Sequence, residues 1–145
     1  MTSGGPPARP PVAAELIADP VVQDALDQAW TDSEANDPTA RHEEGGWLYL
    51  DLATGEISVQ RAARCEQDEI DLSTPTLIPG SVVVGKFHTH PNLGSQGWVT
   101  GPSADDLYVD AIHGVPDLIK AEDGIHLSGP DSRRGGLAGG LGFPP

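Results

Sequence analysis

The feature that most restricts how this chain can fold is a β-branched run, Val82-Val83-Val84, leading into Lys86-Phe87-His88-Thr89-His90-Pro91. A short apolar run of this kind reads as a buried strand. Residues i and i+2 of a strand share one face, about 7 Å apart along the backbone, so His88 and His90 can turn onto one metal ion. Thr89 must then face away. Pro91 has no N–H to give to a ladder and stops the strand where the histidines end. That predicts a sheet edge or mouth as their setting.

A third ligand has to come from elsewhere, and Gly101-Pro102-Ser103-Ala104-Asp105-Asp106 offers one. From Ser103 the apolar residues fall at Ala104, Leu107, Tyr108, Ala111, Ile112 and Val115, the spacing of a helix packed on a core. Ser103 is suited to the N-cap, and Asp106 lies in the first turn, where the helix dipole favours an ionised carboxylate. Two histidines and an aspartate with one vacant position make a catalytic zinc layout, because structural sites usually close with four protein ligands. The vacant place takes a water whose pKa the ion lowers to about 7. Its proton needs an acceptor. Glu43 and Glu44, just before the strand-like run Gly45-Gly46-Trp47-Leu48-Tyr49-Leu50, are the candidates.

Taken together, E-x-x-G-x-L, then H-x-H-P after a β-branched strand, then S-x-x-D opening a helix, resembles the JAMM (MPN-plus) zinc metalloproteases. The matching residues are Glu43, Gly46 and Leu48, then His88, His90 and Pro91, then Ser103 and Asp106, in family order. The resemblance implies that His88, His90 and Asp106 bind zinc, that Glu43 is the general base, and that Ser103 stabilises an oxyanion. It further implies a three-layer fold like that of cytidine deaminases. Twelve residues separate His90 from Ser103, against about seven in the family. The added Gly94–Trp98 material loops out beside the metal, either as a substrate-facing insertion or as a mark of divergent function.

Composition narrows the partners. Twenty-two acidic residues against eight basic ones give a formal net charge of -14, a field that repels phosphate backbones. Nucleic acid is not expected, and a partner with a basic face is favoured. Cys65 is the sole cysteine, so no intramolecular disulfide can form. The opening residues lack a basic region followed by an apolar run, and no segment has the length to cross a bilayer. A cytoplasmic protein with no membrane partner is the expectation.

Along the chain, residues 1–11 are Gly- and Pro-rich and are expected to be disordered, residues 12–127 to form the domain, and residues 128–145 to be a Gly/Pro-rich tail. Val12 to Ile17 is expected to form a short helix. Asp19-Pro20 caps a second, with Val22, Ala25, Leu26 and Ala29 as its apolar stripe. In the following strand Leu48, Leu50 and Leu52 are expected to face the core, with Trp47, Tyr49 and Asp51 opposite. Ala53-Thr54-Gly55 turns into Ile57 and Val59 as a hairpin. Gly114 and Pro116 stop the Ser103 helix, and Asp117–Lys120 and Ile125–Leu127 form a second hairpin through Glu122-Asp123-Gly124. The order of elements argues for α+β: a mixed, largely antiparallel sheet flanked by helices.

Each site residue also has a reading without chemistry. Ser103 serves as an N-cap in any helix, Asp106 as a dipole carboxylate, and Asp105 competes as ligand. Glu43 and Glu44 point to opposite faces once the strand begins, so only one reaches the site. His42 is a spare ligand or a flanking surface residue. His113 and His126 have no acidic or histidine partner at ligand spacing, and Trp98 is either a core plug or an aromatic that grips substrate. The leading expectation is a zinc metallopeptidase. The resemblance implies as substrate a ubiquitin-like protein joined to a lysine or to a short extension, its tail adding as a strand beside the His strand. A non-catalytic scaffold of the same fold and a toxin-associated protease domain are the alternatives.

Overall fold

The computed structural model describes residues 10–62, 75–92, 101 and 113–130. The two N-terminal helices form where their caps place them. In α1 (Ala13–Ala18) the Glu15 carboxylate reaches back to accept the Val12 N–H at 3.0 Å. In α2 (Pro20–Asp32) Asp19 accepts the Val21 N–H at 2.8 Å, and Pro20 occupies the first position, where no N–H is needed. Val22, Leu26 and Ala29 recur at helical spacing and are buried.

The strands are β1 (Gly45–Asp51), β2 (Ile57–Arg61), β3 (Ser81–His90), β4 (Asp117–Ala121) and β5 (Gly124–Ser128). They form one sheet in the order β2-β1-β3-β4-β5. Only β3 and β4 run parallel, and the other three pairings are antiparallel. The chain is therefore α+β with a mixed, largely antiparallel sheet, as expected. Both hairpins form. Asp51 Oδ1 accepts the Ala53 and Thr54 N–H groups at 2.8 and 3.0 Å and turns β1 into β2. Gly114, at φ +76°, takes the left-handed conformation expected of a stop residue before Pro116.

Both helices pack on one face of the sheet. Leu16, Val22, Leu26 and Ala29 join Leu48, Leu50, Phe87, Leu118 and Leu127 in a single core. Gly85 sits beneath α1, and a Cβ there would stand 2.9 Å from Leu16 Cδ1.

Three expectations need correction. The His strand is not at an edge: β3 is the middle strand, and β2 and β5 are the edges. Trp47 and Tyr49 are as buried as Leu48 and Leu50, so β1 is covered on both faces, while Leu52 lies past the strand end and is 44% exposed. Val82, at the start of β3, is 41% exposed, and burial begins at Val84. Val84 is also the extra residue of a bulge, since Leu48 pairs with Gly85 and Tyr49 with Val83. The β-branched run thus marks the strand but overstates its buried length. Among the described residues no helix is long and apolar enough to cross a membrane. Residues 1–9 of the start expected to be disordered over 1–11, Cys65, Gly94–Trp98, the helix from Ser103, and residues 131–145 of the tail expected over 128–145 lie outside the described residues.

Candidate metal centre

Alternation along β3 sets the site. Thr89 turns toward α2, where its hydroxyl lies 2.6 Å from Ser33 Oγ. His88 and His90 therefore turn to the opposite face at the carboxyl end of the middle strand, the position where open sheets that contain parallel strands commonly bind ligands. Their Nε2 atoms are 3.1 Å apart, with ring centroids at 4.9 Å and planes at 60°. Two nitrogens held by one tetrahedral zinc, at about 2.0–2.1 Å each, stand about 3.3–3.4 Å from one another. The pair is already near that spacing. In the metal-free chain the same approach lets one ring donate its N–H to the other.

His88 is 3% exposed, and its other nitrogen, Nδ1, lies 3.1 Å from Asp117 Oδ1 on β4. Close packing on the β1 side leaves no room for a side chain opposite His88: a Cβ on Gly45 would stand 2.9 Å from His88 Cβ and collide with the Phe87 carbonyl oxygen. Only glycine fits at this crossing.

Glu44 lies on the helix side, where its N–H donates to Thr89 Oγ1 at 3.0 Å and its carbonyl accepts the Thr89 N–H at 2.9 Å. Its carboxylate is bound by Arg61 Nη2 at 2.6 Å and His42 Nε2 at 2.5 Å. Arg61 also reaches Asp32 at 3.1 Å; hydrogen bonds from Gln28 and Arg61 hold the Asp32 carboxyl below the usual carboxylate range. Glu44 is thus a structural carboxylate. Gly45 is on the His face and opposite His88, and Glu43, two residues before it, is buried.

The remaining histidines have structural partners. His42 is not a surface residue: it is 3% exposed and bridges the Ala40 carbonyl and Glu44. His113 Nδ1 accepts from Lys86 Nζ at 2.7 Å, beside Trp47, whose ring centroid is 5.2 Å from that of His113. His126, expected to lack an acidic partner, has one in Asp123 at 2.8 Å across the β4–β5 turn.

Ser103, Asp105 and Asp106 lie outside the described residues. Among the described residues no group of three His, Cys, Asp or Glu is placed to hold a metal. The donors placed together there are the two imidazoles of His88 and His90. Asp117 is not among the site residues that the sequence suggests. Its only local signal is an acid opening a strand after Pro116, because what makes it matter is the long-range pairing of β3 with β4. Comparison with models of known protein families, with curated proteins and with solved structures finds no match for this chain.

Proposed function

We propose that this protein is a zinc-dependent metallopeptidase that hydrolyses a peptide or isopeptide bond. The observation that carries the reading is the 3.1 Å approach of His88 Nε2 and His90 Nε2 at the carboxyl end of a buried middle strand. Two imidazoles so arranged, His88 buried and His90 partly buried, fit a borderline-soft cation of tetrahedral habit. His88, His90 and Asp106 would hold zinc. When bound, zinc supplies a Lewis acid that polarises the scissile carbonyl and makes water a nucleophile near neutral pH. Glu43 takes the proton from the attacking water and returns it to the leaving amine, general base and then general acid. The Ser103 hydroxyl donates a hydrogen bond to the developing oxyanion.

The substrate class rests on the resemblance alone: a ubiquitin-like protein linked through its C-terminal tail to a lysine or a short extension. The position of β3 alters how such a tail would bind. β3 pairs with β1 up to His88 and with β4 as far as His90, and the Thr89 N–H is bonded to Glu44. No strand can add directly beside it among the described residues, so an extended tail must cross over the His face rather than extend the sheet from β3.

Elemental analysis of purified protein should find one zinc per wild-type chain and none in His88→Ala/His90→Ala. Glu43→Gln should keep the zinc and lose on the order of 10²–10⁴-fold in turnover of a ubiquitin-like fusion. Full zinc occupancy in the double variant would sink the reading. Unchanged turnover in Glu43→Gln would favour a scaffold that binds without cutting.

A further inference from the structure

We infer that Asp117 is a positioning residue for the metal centre: it holds His88 in the tautomer whose Nδ1 carries the proton, so that the Nε2 lone pair faces His90. The inference rests on the zinc reading above only for its functional consequence.

Asp117 opens β4 at 1% exposure. A carboxylate so buried loses most of its hydration, and proteins normally offset that loss with several hydrogen bonds. Here Oδ1 lies 3.1 Å from His88 Nδ1, while Oδ2 is buried with no hydrogen-bond partner among the described residues. Across the β4–β5 register stands Ser128, whose Oγ is likewise buried and without a partner among the described residues. On the other side the parallel register sets Lys86, 2% exposed, opposite Asp117 and on the same face. Lys86 turns its ammonium to His113. A carboxylate serving only the sheet would sit better as an apolar residue of similar volume, since β4 is otherwise a buried apolar strand at Leu118 and Ile119. Its side-chain hydrogen bond goes to His88 and fixes which ring nitrogen carries the proton.

The consequence follows from imidazole chemistry. An ionised carboxylate only accepts, so the nitrogen facing it must carry hydrogen. In a neutral ring the other nitrogen then has the lone pair. A carboxylate behind a metal-binding histidine sets the ring's orientation and raises its basicity, and loss of such a partner typically lowers metal affinity by about 10–100-fold. The backbone helps by holding both ends: Asp117 pairs with Lys86 and Ile119 with His88 in the same ladder, so carboxylate and ring keep their spacing.

Long-range ¹H–¹⁵N spectra of the histidine side chains, recorded on metal-free wild-type protein at about pH 8, where an imidazole of ordinary pKa is mostly neutral, test the tautomer without a variant. His88, assigned by His88→Gln, should show the Nδ1–H pattern; an Nε2–H pattern would overturn the inference. Zinc affinity is then read by competition with a chromophoric chelator. Asp117→Asn, checked by circular dichroism for an unchanged fold, should bind zinc about 10–100-fold more weakly. If wild type and Asp117→Asn bind zinc equally, Asp117 does not position the ligand even though the zinc reading stands. If wild type takes up no zinc while His88 shows the Nδ1–H pattern, the zinc reading fails and the Asp117 contact survives as the device that sets the ring.

Discussion

The two faces of β3 are built to different rules although they share one backbone. Toward the helices, Phe87 lies in an apolar core with Leu16, Leu48 and Leu118. The polar groups on that side include one directed chain. Glu44 N–H donates to Thr89 Oγ1, the Thr89 hydroxyl donates to Ser33 Oγ, and the Ser33 hydroxyl donates to the Ala29 carbonyl at 2.8 Å. Every donor in it has an acceptor. On the other face the same strand buries Lys86 and His88 beside Asp117, and one carboxylate oxygen there has no partner among the described residues. Buried polar groups that are incompletely satisfied weaken a fold. The helix face therefore holds the sheet together, and the His face carries groups that the fold alone does not require.

Substitution should separate the two most clearly at Phe87 and His90, three residues apart on opposite faces. Phe87→Ala should lower stability to urea by about 3–5 kcal/mol, from lost burial and the cavity left behind. His90→Ala, in metal-free protein, should change it by about 1 kcal/mol or less, since His90 is only partly buried. Equal losses would mean that both faces serve stability alike.

A smaller effect probes the polar chain. Thr89→Val keeps the shape of the side chain but leaves the Glu44 N–H without its acceptor and Ser33 Oγ without its donor. About 1–3 kcal/mol should be lost in urea unfolding. The chain also ties the Glu43–Glu44 segment to the strand that carries the histidines, through the Thr89 N–H to Glu44 carbonyl bond and the His42 N–H to Ser33 carbonyl bond, both 2.9 Å. A Thr89→Val protein as stable as wild type would show that the chain adds nothing beyond apolar packing.

The same contrast explains what could be read from the residues in advance. α1, α2 and both hairpins were legible because their signals are local: Asp19 before Pro20, an apolar stripe at helical spacing, Gly55 and Gly124 at turns. His88 and His90 on one face, with Thr89 opposite, followed from strand alternation. What escaped depends on contacts between distant segments. The middle position of β3, the burial of Trp47 and Tyr49, and the meeting of Asp117 with His88 all arise from strand pairings that local spacing does not encode. Gly45 was visible only as part of a strand start, and its close approach to His88 appears once β1 and β3 are in register.

The smallest effect concerns the far end of the His face, where Tyr49 shares its side of β1 with Trp47. Its hydroxyl donates to the Thr76 carbonyl at 2.6 Å, and burial pushes the phenol pKa above its ordinary value. The protonated, neutral form is thus the one the fold favours. Its contribution to stability is fully present below the unfolded phenol pKa of about 10 and is lost as pH rises from there through the higher folded value. With Tyr108→Phe removing the other tyrosine, phenolate absorbance near 295 nm should rise only above the ordinary range in folded protein, and at about pH 10 once urea unfolds it. A folded midpoint at about 10 would mean that this end of the face is open to water, and that burial is confined to the part of the face around His88.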